Sequence, residues 1–293
     1  MNYQWYPGHM TKAKRMMEEN IKLIDLVIEI VDARIPISSR NPDIDSLAVN
    51  KARIILLNKS DLADDKITNQ WINYFNENNI YCLKLNSRNN SGIKQVNGLI
   101  MTACADKIER NKQRGILNRP IRAMVVGIPN VGKSTFINSY AGKASAKTGN
   151  KPGVTKGKQW IKLNKNVELL DTPGILWPKF DNQEVGKRLA MIGSMNDEIL
   201  NVEELAIDTI KYIYSEYSDN VIERYGLDKE KTAASYDENA INPDNSVALY
   251  IMEQAAVKRG CIKKDNIDYE KISNIILDDF RSGRLGRISL ETP

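Results

Sequence analysis

Apolar residues in the first part of the chain come in short runs that end on polar tips. Leu26–Val31, Arg53–Leu57, Ile80–Leu85, Ala123–Val126, Gln159–Leu163 and Val167–Leu170 read as strands. Between them, wider apolar spacing predicts helices over Thr11–Leu23, Asp43–Asn50, Asp65–Asn78, Gly92–Gln113 and Thr135–Ala141. From about Asp181 the strand signals stop, and Glu184–Met195, Val202–Tyr217, Ser246–Lys258 and Tyr269–Arg281 read as helices. Strands alternating with helices, then helices alone, predict a mostly parallel α/β unit and a smaller all-α unit. The expected boundaries are an N-terminal extension over 1–20, the α/β domain over 21–178 and the helical domain over 179–293. Ala144–Lys158, rich in Lys, Gly and Thr without an apolar period, is expected to be mobile. Arg114–Pro120 reads as a basic linker, and no internal repeat is apparent.

Composition changes this picture little. With 42% hydrophobic and 27% charged residues in 293, the chain suits a globular protein with a sizeable core. The richest apolar run, Leu23–Val31, is interrupted by Asp25 and Glu29 and is too short to span a bilayer. Met1–Lys14 has no leader-like apolar segment, so a cytoplasmic location is expected. Cys82, Cys104 and Cys261 lack paired spacing, which argues against a disulfide framework or a cysteine metal site. Cys82 reads as a small core residue.

The net charge of +5 is unevenly placed. Basic residues gather at 12–15, at 110–122 and at 143–158, then at Lys258, Arg259, Lys263, Lys264, Arg281, Arg284 and Arg287. Such patches suit a polyanion such as RNA, and equally a solvated basic surface.

Chemistry enters at the strand tips. Gly127-Ile-Pro-Asn-Val-Gly-Lys-Ser134, between a predicted strand and a helix, matches the phosphate-cradling G-x-x-x-x-G-K-[ST] pattern. Asn130, Val131, Gly132, Lys133, Ser134 and Thr135 are its candidate nucleotide contacts. Lys133 would reach the β- and γ-phosphates, and the Ser134 hydroxyl would hold Mg²⁺. Asp171, closing another strand, would hold the same ion through water, and the Gly174 amide would meet the γ-phosphate. Thr155 is the candidate second hydroxyl on Mg²⁺. Asn58-Lys59-Ser60-Asp61 would read the base, because an acceptor-only carboxylate at 61 matches the two donors on guanine's edge. The aliphatic stem of Lys59 would lie on the ring. Asn86-Ser87 would offer a backbone N–H to guanine O6. Alone, an Asn and an Asp after a strand are a common turn. Three such signatures on three strand tips point together to GTP or GDP with Mg²⁺.

The order is rotated, with base-reading residues first, the phosphate loop next and the switch last. In this the chain resembles the circularly permuted GTPases. Trp5-Tyr6-Pro7-Gly8-His9-Met10, Asp32-Ala33-Arg34-Ile35-Pro36, Gly127–Ser134, Asp171–Trp177 and Phe280–Glu291 together resemble the bacterial ribosome biogenesis GTPase A family, over essentially the whole chain. The resemblance implies a P-loop GTPase fold and GTP-dependent binding to the large ribosomal subunit precursor during its late maturation. It also implies a helical tail facing rRNA, a monomer, and neither membrane nor DNA as partner.

Ile175 stands where Ras-like enzymes carry the water-orienting glutamine. The resemblance assigns that task to His9, the single histidine, which by itself could equally be a packed or surface residue. It also implies a K⁺ ion at Asn130, acting where an arginine finger otherwise would. Turnover is then expected to be slow alone and stimulated by the subunit. The alternatives are a P-loop ATPase, against which Asp61 argues, and a nucleotide-dependent RNA-binding scaffold with little hydrolysis, which Ile175 favours.

Overall fold

The structure, a computed structural model, describes residues 15, 17–117, 119–142, 159–163, 165–171 and 182–293. The chain forms two compact units: Asn2–Gly186 with Glu291–Pro293, and Lys187–Leu290.

The first unit is built on a six-stranded sheet of β1 (Leu26–Asp32), β2 (Ala52–Asn58), β3 (Tyr81–Lys84), β4 (Ile121–Val126), β5 (Gln159–Lys162) and β6 (Val167–Asp171). The spatial order is β3-β2-β1-β4-β6-β5, and every pair is parallel except β5–β6. Every residue of β1 is buried, as expected of a central parallel strand covered on both faces. Val27 and Val31 share one face with Ile55, Leu57, Met124, Val126 and Leu170. Met17, Ile24, Ile44 and Ala48 pack over the β4 side of this face; Trp71, Phe75, Ala63 and Cys82 pack over the β2–β3 side. Cys82 is thus the small core residue expected, and all three cysteines are buried free thiols. On the opposite face Leu26, Ile28, Ile30, Ile54, Leu56, Ala123, Val125 and Leu169 are fully buried.

The single helix expected over Gly92–Gln113 is two, Ile93–Ala103 and Ala105–Gln113, joined at Cys104. Cys104 leaves helical geometry at φ −105°, ψ 10° while its N–H still donates to Ile100. The first helix buries Ile93, Val96 and Ile100; the second buries nothing among its nine residues, so no shared apolar face keeps the two collinear.

In the second unit, helix Val202–Glu216 packs against Ser246–Arg259 and Tyr269–Arg281. Leu205, Ile210, Ile213, Ile251, Met252, Ile272, Ile276 and Phe280 form its core. Helices Ser218–Tyr225 and Lys229–Ala233 were not anticipated from the apolar pattern; the first stops at the left-handed Gly226 and Asp228 caps the second. Strands themselves, unlike their signals in the sequence, do not stop at 181. Ile262–Lys263 and Asn266–Ile267 form a small hairpin whose tip, Lys264-Asp265, has positive φ at both positions.

Asp279, 1% exposed, organises this unit electrostatically. It accepts two hydrogen bonds of 2.8 Å from Arg224, one of 2.5 Å from Arg284 Nε and one of 3.3 Å from Tyr225. Burial would raise its carboxyl pKa, but these hydrogen bonds and charges hold it below the ordinary range. Arg281 is bound to both oxygens of Asp197 at 2.6 and 2.8 Å. Part of the late basic cluster is therefore committed to internal carboxylates, whereas Lys263, Lys264 and Arg287 remain exposed.

Candidate nucleotide-binding site

The carboxyl ends of β1, β2, β3 and β4 carry Asp32, Asn58, Asn86 and Gly127 along one edge of the sheet, where ligands of α/β folds bind. At Gly127 a Cβ would lie 2.5 Å from the Ile30 carbonyl oxygen, and at Gly132 (φ 95°) it would lie 2.4 Å from Asn58 Nδ2. Gly127 is therefore required by close backbone approach, and Gly132 by its left-handed backbone and the Asn58 side chain pressed against it. Asn130 adopts φ 62° between them, and helix Lys133–Ala141 starts directly after Gly132. First-turn helix N–H groups lack intrahelical acceptors, so the loop aims backbone donors at one point. Lys133 is buried and its Nζ donates to the Ile128 carbonyl at 3.1 Å, folded across the loop; Ser134 and Thr135 are half-buried beside it.

One side chain unites the motifs. Asn58, 3% exposed, donates through Nδ2 to the Val131 carbonyl at 2.7 Å. Its Oδ1 accepts from the Ser87 N–H at 3.0 Å and the Ser87 hydroxyl at 2.9 Å. Ser139 of the phosphate-loop helix then donates to the Ser87 carbonyl at 2.5 Å. Asn86 Oδ1 accepts the Arg88 and Asn89 amides and shapes the third loop. Asp61 is exposed in the turn after β2, and Ser60 anchors that turn through its N–H and hydroxyl to the Leu85 carbonyl.

Lys59, at φ 58°, places its Nζ 3.0 Å from Asp32 Oδ2. Asp32 also takes Arg34 bidentately, with both hydrogen bonds 2.9 Å. Burial would raise the Asp32 pKa, but the Arg34 and Lys59 charges and the hydrogen bonds from Arg34 overcome it and hold the carboxyl far below its usual range. Burial lowers the Lys59 pKa against the opposing pull of Asp32. Sequence reasoning gave Asp32 no role at the site; the available signal was a carboxylate on a strand tip in the same row.

Asp171 closes β6 and pairs with Val125, next to the phosphate loop; its backbone alone is described. His9, Thr155, Gly174 and Ile175, and the segment 144–158 expected to be mobile, lie outside the described residues. For Mg²⁺ the candidate donors are the Ser134 hydroxyl and, as expected from the sequence alone, Asp171 and Thr155. Oxygen donors supplemented by phosphate and water are what this hard cation takes, so the set fits. Among the described residues no helix is long and apolar enough to cross a membrane.

A family described as "50S ribosome-binding GTPase" matches residues 122–238. A "Ribosome biogenesis GTPase A" of Bacillus cereus is 46% identical over 100% of this chain and 95% of its own. The chain belongs to the ribosome biogenesis GTPase A family. A GDP-bound structure of YlqF superimposes with a TM-score of 0.64 at 25% identity, covering 95% of this chain and 99% of that one. A GNP-bound YlqF from Thermotoga maritima gives 0.61 at 26% identity, covering 96% and 98%. The protein is therefore a ribosome biogenesis GTPase, with the rotated motif order of that family on a mostly parallel sheet.

Proposed function

We propose that the protein binds the immature large ribosomal subunit in its GTP state and promotes late assembly, hydrolysing GTP slowly alone and faster on the subunit. The observation that carries the nucleotide half of this reading is the Asn58 carboxamide, which joins the phosphate loop to both base-reading loops. In the assignment we favour, Asp61 accepts from guanine N1 and N2, the Lys59 stem lies on the ring, and Asn86-Ser87 donates to O6. Lys133 and the amides of Asn130, Val131, Gly132 and Thr135 hold the phosphates, with Gly174 at the γ-phosphate. Ser134, Thr155 and Asp171 hold Mg²⁺, which neutralises charge on the transferring phosphoryl group when bound. Asn130 supports a K⁺ ion, so turnover is higher in K⁺ than in Na⁺ at equal ionic strength. His9 orients the attacking water.

The proposed domain assignment keeps 21–178 as the GTPase and 179–293 as the rRNA-facing part, except that Glu291–Pro293 belong with the first unit. Lys263, Lys264 and Arg287 are the exposed cations that favour rRNA contact there. The protein would act as a cytoplasmic monomer. Sedimentation with large-subunit precursors in GTP, GDP and a non-hydrolysable analogue tests the reading, at stated salt because phosphate-driven binding is salt-sensitive. Co-sedimentation with GTP and the analogue but not GDP is expected; equal recovery in all three refutes GTP-dependent binding.

A further inference from the structure

Two features stand apart from the roles assigned above: the Asp32–Ser39 loop and Glu291. They meet, though 253 positions separate Ser38 from Glu291. The Glu291 carboxylate, 7% exposed, accepts the Ile37 N–H at 2.8 Å, the Ser38 N–H at 3.0 Å and the Ser38 hydroxyl. Its own carbonyl accepts the Trp71 indole N–H at 3.2 Å. Next in the loop, the Ser39 hydroxyl donates to the Ile35 carbonyl and accepts the Asp32 N–H at 3.0 Å. Asp32 in turn holds Lys59 Nζ, and the Ala33 N–H donates to the Asn58 carbonyl at 2.9 Å. Polar contacts, joined by the covalent step from Ser38 to Ser39, thus run from Glu291 through Asp32 to the base-reading loop.

We infer that Glu291 is a positioning residue for nucleotide binding, anchoring the loop whose Asp32 fixes the Lys59 ammonium. This rests on the reading that the Lys59 stem lies on the guanine ring. A carboxylate is suited to the task because it has acceptor capacity for several donors at once, and hydrogen bonds to a charged group exceed neutral ones. The Ile37 and Ser38 amides face it together, so a carboxamide, which turns an NH₂ toward one of these donors, cannot replace it.

The test measures GDP and inosine diphosphate affinities for the full chain, Glu291→Gln, Asp32→Asn, the double variant and Asp61→Asn, each checked by circular dichroism and melting. Lys59 meets the ring face and does not sense the 2-amino group that inosine lacks. Glu291→Gln should therefore weaken both nucleotides by the same factor of about tenfold, the equivalent of one hydrogen bond to a charged group. If the residues act in series, the double variant binds within about twofold of Asp32→Asn alone. A folded Glu291→Gln protein binding GDP like the parent, a loss confined to GDP, or multiplying penalties would each overturn the inference. Should Glu291→Gln not fold, Ser38→Ala removes one contact of the set; about threefold weaker binding of both nucleotides is then expected, and no change overturns it. Asp61→Asn separates the two readings: if it weakens GDP no more than inosine diphosphate, the base assignment fails, whatever Glu291 does.

Discussion

Replacing Asn58 by alanine probes the junction on which the site depends. The substitution removes the donor to Val131 and the acceptor for Ser87, leaving a buried carbonyl and a buried N–H to find new partners. Each unsatisfied buried group costs about 1–3 kcal/mol. Water can reach the half-exposed Gly132 next to Val131 and relieve part of this, so we expect a loss of about 3 kcal/mol. In a unit of this size that corresponds to a fall in Tm of roughly 6–12 °C. GDP affinity should fall further than the melt implies, because two loops lose their shared fixed point. Asn58→Asp is the informative partner variant. It keeps an acceptor for Ser87 but sets a carboxylate against the Val131 carbonyl, so it should bind nucleotide no better than Asn58→Ala. Urea denaturation with and without saturating GDP, alongside direct titration, supplies the measurements. If Asn58→Ala is within about 0.5 kcal/mol of the parent and binds GDP equally, the junction contributes nothing and the reasoning is wrong.

Gly132→Ala should abolish GDP binding in a protein that still folds, since its Cβ would meet Asn58 Nδ2 at 2.4 Å in a left-handed backbone; retained affinity by titration would refute it. Because Asp32 has a depressed folded-state pKa, it contributes stability above the ordinary carboxyl value near 4, and this is lost as pH falls below it. The stability gap between the parent and Asp32→Asn, followed by urea denaturation from pH 6 to pH 3, should therefore narrow as pH falls. Asp279→Ala leaves Arg224 and Arg284 without their shared carboxylate, but both guanidinium groups reach solvent and Arg284 keeps Asp278, so the helical unit should lose about 1–3 kcal/mol; an unchanged melt of that unit would be the contrary result. His9→Ala should leave GDP affinity intact while ribosome-stimulated turnover disappears, as read by phosphate release.

The sheet and the strand tips were legible because each depends on local pattern: short apolar runs, two glycines at fixed spacing, and polar residues directly after strands. Asn58, placed by that pattern among the candidate base-reading residues, joins the phosphate loop to the Ser87 loop. What the pattern could not show are pairings set by tertiary structure. Nothing near Asp32 announces that Lys59 will turn onto it, and nothing near Ser38 announces Glu291. The break at Cys104 was missed because no Gly or Pro marks it, whereas Gly226 and Asp228 did mark helix ends that were passed over. The hairpin at 262–267 escaped because its strands have two residues each and Lys-Asp is an uncommon tip for a turn with positive φ at both positions. The sequence left the basic residues at 281–284 open between an RNA surface and a solvated one. The internal role of Arg281 was hidden because Asp197 lies 84 positions away, whereas the partners of Arg284 at 278–279 stand close by.

The rotated order also leaves a seam. Strands β1, β2 and β3 follow one another closely in the chain, but β4 must find β1 across a separation of 97 residues, sealed where the Arg122 N–H meets Asp25. Nearby pairings close before remote ones, so the base-reading half should assemble first and this seam last. Asn58 and Val131 lie on opposite sides of it. A guanine nucleotide touching both would then work as a rivet, and hydrogen exchange along β4 should slow on loading more than exchange along β2.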